Sequence, residues 1–375
     1  MITFSDNIAR KPYLGSTEIA EVWLGNVLIY PEDTVDYSTQ YLTFEVVEGG
    51  TINFVATDES VSKTISYSLD NGKTWTDLTS STSYQPMGGT LSPGDKVLVK
   101  GRNNTYASND RGYYNHFAST AKVNVYGNIM SLISGDNFAD NKTLTGINTF
   151  YRLFADNARL LSAKHLILSA TKLTNYCYAY MFWNCPNFKT APAILPATTL
   201  ASYCYSYMFS TCTNLTTAPE LPATTLEEYC YDFMFFGCTS LVTAPVLSAT
   251  TLAGNCYSHM FQNCTSLTTA PVLPATTLAQ MCYNSMFMSC TNLTTAPVLP
   301  AITLTNYCYT QMFYNCTKLN YIKAMFTTTP SNTYTQNWVK GVASSGTFVK
   351  NRAATWNVTG VNGVPTGWTI QRASS

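Results

Sequence analysis

Six times between residues 177 and 316 the chain sets two cysteines eight positions apart. The first members are Cys177, Cys204, Cys230, Cys256, Cys282 and Cys308; the second are Cys185, Cys212, Cys238, Cys264, Cys290 and Cys316. Thiols in this number could hold zinc, form disulfides or act as nucleophiles, and each chemistry needs its own geometry. Structural zinc sites use short-spaced ligand pairs, commonly with histidine; here the spacing is wide and no His recurs with it. A nucleophilic thiol needs a base beside it, and no His or Asp repeats in step with the cysteines. On a helix, residues eight apart lie about 12 Å apart, beyond the reach of a disulfide. Equivalent cysteines on neighbouring packed helices would be about 8–10 Å apart, again too far. Free cysteine is a small, commonly buried hydrophobe, so all twelve are expected to be core thiols, with no metal or cofactor.

The element that must position them is a repeat. After one step of 27 residues the cysteines recur every 26, and a full unit reads LPATTLEEYCYDFMFFGCTSLVTAP, residues 221–245. A period in the twenties predicts a solenoid, in which coils stack to share one core. At about 100° per residue, Cys230, Tyr231, Met234, Phe235 and Cys238, and their counterparts in every copy, fall on one broad apolar stripe of a helix. Thr225 with Glu228, and Thr277 with Gln280, read as capping boxes opening that helix. A buried Leu (Leu215, Leu241, Leu267, Leu293) and a short TAPVLP strand follow, its prolines limiting its length.

The stretch LTTAPELPATTLEEYCYDFMFFGCTSL (215–241) resembles the BspA-like leucine-rich repeat, with a short strand, an LP step and a helical aFxxCxxL-like segment. The resemblance covers about residues 149–325 and implies a leucine-rich-repeat fold; it departs from the family in its 26-residue period and in having Cys and Met where Ile and Ala are usual. TFYRLFADNARLLSAKHLILSATKL (149–173) aligns as a degenerate first repeat without Cys, suited to capping.

The flanks complete a modular, mixed α/β chain of four parts: an N-terminal docking segment (1–35), an all-β Ig-like sandwich (36–128), the leucine-rich-repeat-type solenoid (129–325) and a small β C-terminal cap (326–375). Residues 41–127 alternate apolar strands with Gly, Asn and Asp turns. Within them SLDNGKTW (68–75) fits the Asp-box pattern of sialidase-like propellers, implying a hairpin staple at Asp70-Asn71-Gly72 with Trp75 beneath it. YLGSTEIAEVWLGNVLIYP, residues 13–31, looks like the start of tailed-phage virion proteins that dock a fibre or tail component to the particle. Trp338, Trp356 and Trp368 fall in the C-terminal part, as cap residues more than as a substrate site.

Composition narrows the function. Net charge is zero and only 11% of residues are charged, so the basic footprint of a nucleic-acid binder is missing. No apolar run is long enough to predict a transmembrane helix. His116, His165 and His259 are scattered, and no paired carboxylates, phosphate loop or nucleophile elbow appears; the chain is not expected to be an enzyme. Between residues 171 and 316 only Lys172, Lys189, Glu220, Glu227, Glu228 and Asp232 are charged, so contacts there should depend little on salt.

Around the constant stripe the outward positions vary and are rich in aromatics. The candidate contact residues are Tyr176, Tyr180, Trp183, Tyr203, Tyr207, Tyr229, Phe233, Phe236, His259, Met288, Tyr307 and Tyr314. Such side chains suit a protein or sugar partner, or packing within the assembly. With no signal-peptide pattern at the start, the expectation is a bacteriophage virion protein, a head or tail fibre or similar appendage. Residues 1–35 would meet other virion proteins and the solenoid a host cell-surface protein or glycan. A bacterial cell-surface BspA-like adhesin and a purely structural decoration are the alternatives. Fibres are often trimers, but no heptads support a homo-trimer here.

Overall fold

In the computed structural model the described residues are 35–374, preceded by the backbone of 2–4, 12–14, 17–18, 22–24 and 27–30. That early backbone gives an antiparallel sheet of β1 (Ile2–Phe4), β2 (Pro12–Leu14) and β3 (Thr17–Glu18), and a hairpin of β4 (Val22–Leu24) and β5 (Val27–Tyr30). The docking role expected of residues 1–35 otherwise lies outside the described residues.

Two sheets follow, built from β6 (Leu42–Glu48), β7 (Ile52–Ala56), β8 (Thr64–Ser68), β9 (Thr76–Thr79), β10 (Lys96–Gly101), β11 (Asn115–Ser119) and β12 (Lys122–Asn128). The larger runs β12-β6-β10-β8-β9, and the smaller pairs β11 with β7. Phe44, Phe54 and Phe117 meet between them, their ring centroids 4.9 and 5.0 Å apart. Residues 69–75 form a seven-residue loop between β8 and β9, longer than the tight hairpin expected. Asp70 ties it, its carboxylate accepting from the Thr74 amide (2.9 Å), the Thr74 hydroxyl (2.6 Å) and the Ser68 hydroxyl (2.8 Å). These bonds, those to Thr74 foremost, hold the Asp70 carboxyl down at about 2.

Strand β12 joins this part to the repeats. One edge pairs antiparallel with β6; the other pairs parallel with β13 (Leu160–Ser162) and β14 (Leu166–Ile167). Gly127 is required there: its φ is +85°, and a Cβ would collide with the Tyr41 carbonyl. Phe44 and Phe117 continue into Phe154 at 6.0 and 5.8 Å. One hydrophobic core therefore runs without a break from Leu42 to Trp368.

Beyond β14 the backbone returns to an equivalent partner every 26 or 27 residues. Isolated parallel bridges join Thr190 to Thr217, Thr217 to Thr243, and Thr269 to Thr295; the expected TAPVLP strands are reduced to these single rungs. The expected helix does not form. Helix is confined, among the described residues, to α1 (Ser131–Ser134), α2 (Asn332–Thr335) and two short 3₁₀ turns, so the chain is mostly β. Thr225–Glu228 and Thr277–Gln280 therefore have no helix to cap.

In place of the helix stands a column of consecutive turns. In the coil of Cys204, the amides of Cys204, Ser206, Met208, Ser210 and Cys212 each donate three residues back, to Ala201, Tyr203, Tyr205, Tyr207 and Phe209. The amides between them, of Tyr203, Tyr205, Tyr207, Phe209 and Thr211, donate to the next coil, at Glu228, Cys230, Asp232, Met234 and Phe236. Every fourth residue is left-handed: Tyr203 (φ 59°), Tyr207 (57°) and Thr211 (60°) here, with the same three positions in the other coils. Cys230, Tyr231, Met234, Phe235 and Cys238 are buried to 0–1% exposure, so the stripe read from the sequence is the interior although its backbone is not helical.

Residues 148–157 form the same column one coil earlier, with Phe150 over Tyr178 (5.6 Å), Phe154 over Phe182 (5.4 Å) and Asn157 in the second cysteine's place. After the last Cys pair the winding continues: β15 (Tyr321–Ala324), β16 (Thr347–Lys350) and β17 (Thr369–Arg372) pair in parallel. Trp338, Trp356 and Trp368 are 0–7% exposed, and each indole N–H donates to a carbonyl, of Gly363, Phe326 and Ala343 respectively. They close the core and present no ring face to a substrate.

The turn column and an α-helix make opposite demands on Gly237, which sits at a left-handed position (φ 69°). In a helix, Gly237→Ala would stabilise by about 1 kcal/mol; at a left-handed site the same change should destabilise by about 1–2 kcal/mol. Denaturant unfolding of the two proteins measures the sign, and destabilisation is the expected outcome.

Candidate functional site

The twelve cysteines are all free and buried. The coils are closer than packed helices: the interior Tyr and Phe rings of successive Cys coils are 5.5 Å (Phe182–Phe209) to 6.0 Å (Tyr283–Tyr309) apart, not 8–10 Å. Backbone hydrogen bonds join each coil to the next, as from Tyr205 to Cys230, which sets coils at about the β spacing of 4.7–4.9 Å, and distance alone does not forbid a bridge. Orientation does. Stacked side chains point the same way, which keeps Cβ atoms at the coil spacing, beyond the roughly 3.5–4.5 Å a disulfide needs. Each second cysteine is also engaged, donating its S–H to the Phe carbonyl of the preceding coil, as Cys212 does to Phe182 (3.0 Å) and Cys316 to Phe287 (2.9 Å). Burial pushes the Cys177 thiol up to about 12 and holds Cys212 far above the ordinary thiol range, so these groups stay protonated and unreactive.

The outward aromatic residues are gathered into two files by the left-handed backbone. One position before the first cysteine, Tyr176, Tyr203 and Tyr229 stack face to face at 4.5 and 4.4 Å. Three positions after it, Tyr180, Tyr207, Phe233 and His259 stack at 4.5, 4.5 and 4.0 Å. The files are capped by cations from outside the cysteine repeats: the Arg111 guanidinium lies 3.9 Å over Tyr176, and that of Arg152 lies 4.7 Å over Tyr180 and 4.5 Å over Trp183. Trp183 meets Tyr180 edge-on at 6.2 Å, and Phe236 leans on Phe233 at 5.5 Å. Tyr307 is 38% exposed, and the Lys340 ammonium lies 5.5 Å over Tyr314. Neither ring, nor Met288, joins a file. Nine of the twelve expected contact residues are thus brought together and three stand apart.

Several residues important to this surface were not singled out from the sequence. Arg152 was within reach, because it holds the third position after the missing cysteine in the degenerate repeat and so heads the second file. Arg111 arrives from the loop between β10 and β11, with no local pattern to mark it. Asp232, two positions after Cys230, is 7% exposed. The equivalent residues elsewhere are Ala179, Ser206, Ser258, Asn284 and Thr310, so one carboxylate interrupts a neutral file. His259 Nδ1 lies 3.8 Å from Asp232 Oδ1 and 2.7 Å from Ser258 Oγ. Ser, His and Asp meet here, but hydroxyl and carboxylate face the same ring nitrogen. A proton relay needs them on opposite nitrogens, so this cluster cannot activate the hydroxyl that way.

Burial raises the Asp232 carboxyl above the ordinary carboxylate range, against the opposing pull of His259 and Ser258. A raised folded-state value means that the protonated acid favours the fold. That contribution is complete below the unfolded value of about 3.9 and is lost as pH rises through the folded one. Asp232→Ser installs the residue that Ser206 and Ser258 already provide in this file. The variant should melt higher than the parent at neutral pH, with the gap closing in acid; an unchanged or lower melting temperature at neutral pH would contradict the account.

No family model matches the chain, and no curated protein matches it either. One solved structure similar to it is a leucine-rich repeat protein from Bacteroides ovatus ATCC 8483, 12% identical over 61% of this chain and 81% of the other, with a TM-score of 0.19. A likeness at that score carries no argument about the function of this chain.

Proposed function

We propose that this chain is a non-enzymatic bacteriophage virion protein, a head or tail fibre or similar appendage, whose stacked coils meet the host surface. In this reading residues 1–35 join other virion proteins, an Ig-like sandwich over 36–128 is the spacer, and residues 129–325 are a BspA-like solenoid of 26-residue period. The observation that carries it is the contrast between a constant interior and a variable exterior: Cys, Tyr, Met, Phe and Cys are invariant in six coils, while the outward files change residue from coil to coil. A stretch with only six charged residues between 171 and 316, one of them the buried Asp232, suits recognition by shape and hydrogen bonding over long-range steering.

The files limit how contact is made. Their ring faces are occupied by one another, so a host protein or glycan would meet ring edges, tyrosine hydroxyls and the side chains of Trp183 and Phe236. The same stacking gives the second reading, a structural decoration whose aromatic files only stiffen the array, its specific support.

Incubating the full chain with intact cells of gut-type bacteria, followed by sedimentation, separates the two. The attachment reading expects binding that changes little with salt, and that the double change Trp183→Ala with Phe236→Ala removes while the melting temperature holds. Binding that survives the double change, or is lost only together with the fold, would count against it.

A further inference from the structure

The repeats depart from their own pattern twice at one place. The position held by Ile194, Val246, Val272 and Val298 is Glu220 in its coil, and the position held by Pro196, Pro222, Pro274 and Pro300 is Ser248 in the next. Both departures line a single groove of about 390 Å³ between these two coils, walled by Pro219, Pro222, Pro245 and Val246. Ser248 lacks the ring its counterparts have, and this leaves the groove open. Val246 is 76% exposed on its lip. At this position the backbone ladder is missing from three successive junctions, of which the groove is the first. Leu195 donates to the Glu220 carbonyl (3.0 Å) and Glu220 to Ala193 (2.9 Å), and the ladder resumes where Leu299 donates to Lys323 (3.0 Å). Among the described residues no such backbone bond joins Leu221 to Val246.

Glu220 is exposed, and among the described residues its carboxylate has no ion-pair or hydrogen-bond partner. The chain supplies no cation nearby in sequence, since no Lys or Arg occurs from residue 190 to 317. We infer that this groove is a binding site for a lysine or arginine side chain of a partner polypeptide. The aliphatic stem would lie along the proline rings and the charged head would meet Glu220 in a charge-assisted hydrogen bond. Apolar walls select a long stem, and an unpaired carboxylate at one end selects a cation. The groove lies on the TAPVLP segment, away from the aromatic files, and the inference stands whether or not those files bind a host.

The test is a titration of the full chain, by saturation-transfer NMR at low salt, with acetyl-Val-Lys-Val-amide and its glutamine counterpart acetyl-Val-Gln-Val-amide. Two variants borrow residues the repeat already uses, so each should keep the parent melting temperature: Glu220→Val and Ser248→Pro. The lysine peptide should bind up to about fivefold tighter than the glutamine one. Glu220→Val should erase that preference, and Ser248→Pro, by filling the groove, should remove binding of both. Equal affinities for the two peptides, no binding of either to the parent, or binding of glucosamine in preference to the lysine peptide would each overturn the assignment. If Ser248→Pro does not fold, the Glu220→Val comparison decides.

Discussion

Alternate amides of the turn column point to the next coil, and the rest of the repeat array depends on that alternation. It requires the backbone to reverse its sense every fourth residue, which places three residues of each coil in the left-handed region. For residues with a Cβ this costs about 1–2 kcal/mol apiece. The reversals are held because each left-handed residue donates its own amide to the next coil, and because they turn the Tyr, Met and Phe of the coil inward, where burial contributes about 1.5–3 kcal/mol for each side chain. Cysteine fits the second inward corner for a specific reason: it is small, and its S–H supplies a donor to a carbonyl that the coil geometry leaves facing the interior.

The same constraint produces the surface. A tyrosine in a left-handed conformation projects outward between coils, and its counterpart in the next coil projects in parallel one rung away. Files of stacked rings are therefore a consequence of the backbone wherever aromatics occupy those positions, and Arg111 and Arg152 close the exposed faces at one end. The array's interior demands uniformity, whereas the outward positions are free to differ. Glu220, Asp232 and Ser248 are legible as exceptions because their neighbours are so regular.

How much was readable beforehand follows from the arithmetic of periods. A 3.6-residue helix and a four-residue turn column drift apart by only about 80° over eight residues, so both place Cys, Tyr, Met, Phe and Cys on one side. The buried set was legible and the backbone was not. One signal could have separated them: the position before each second cysteine is Asn184, Thr211, Gly237, Asn263, Ser289 and Asn315, and recurrent Asn and Gly favour a left-handed backbone. The aromatic files depend on a coil spacing near 5 Å that the helix assumption hid. Arg111 and the ladder gap beside Glu220 depend on contacts distant in sequence, which no local pattern encodes.

The most direct test of the turn column is NMR detection of couplings through hydrogen bonds at the Tyr205 amide. The account predicts a coupling from Tyr205 nitrogen to the carbonyl carbon of Cys230, in the next coil, across a bond of 3.1 Å. A coupling to Ala201, four residues back in the same coil, would show an α-helix and contradict it.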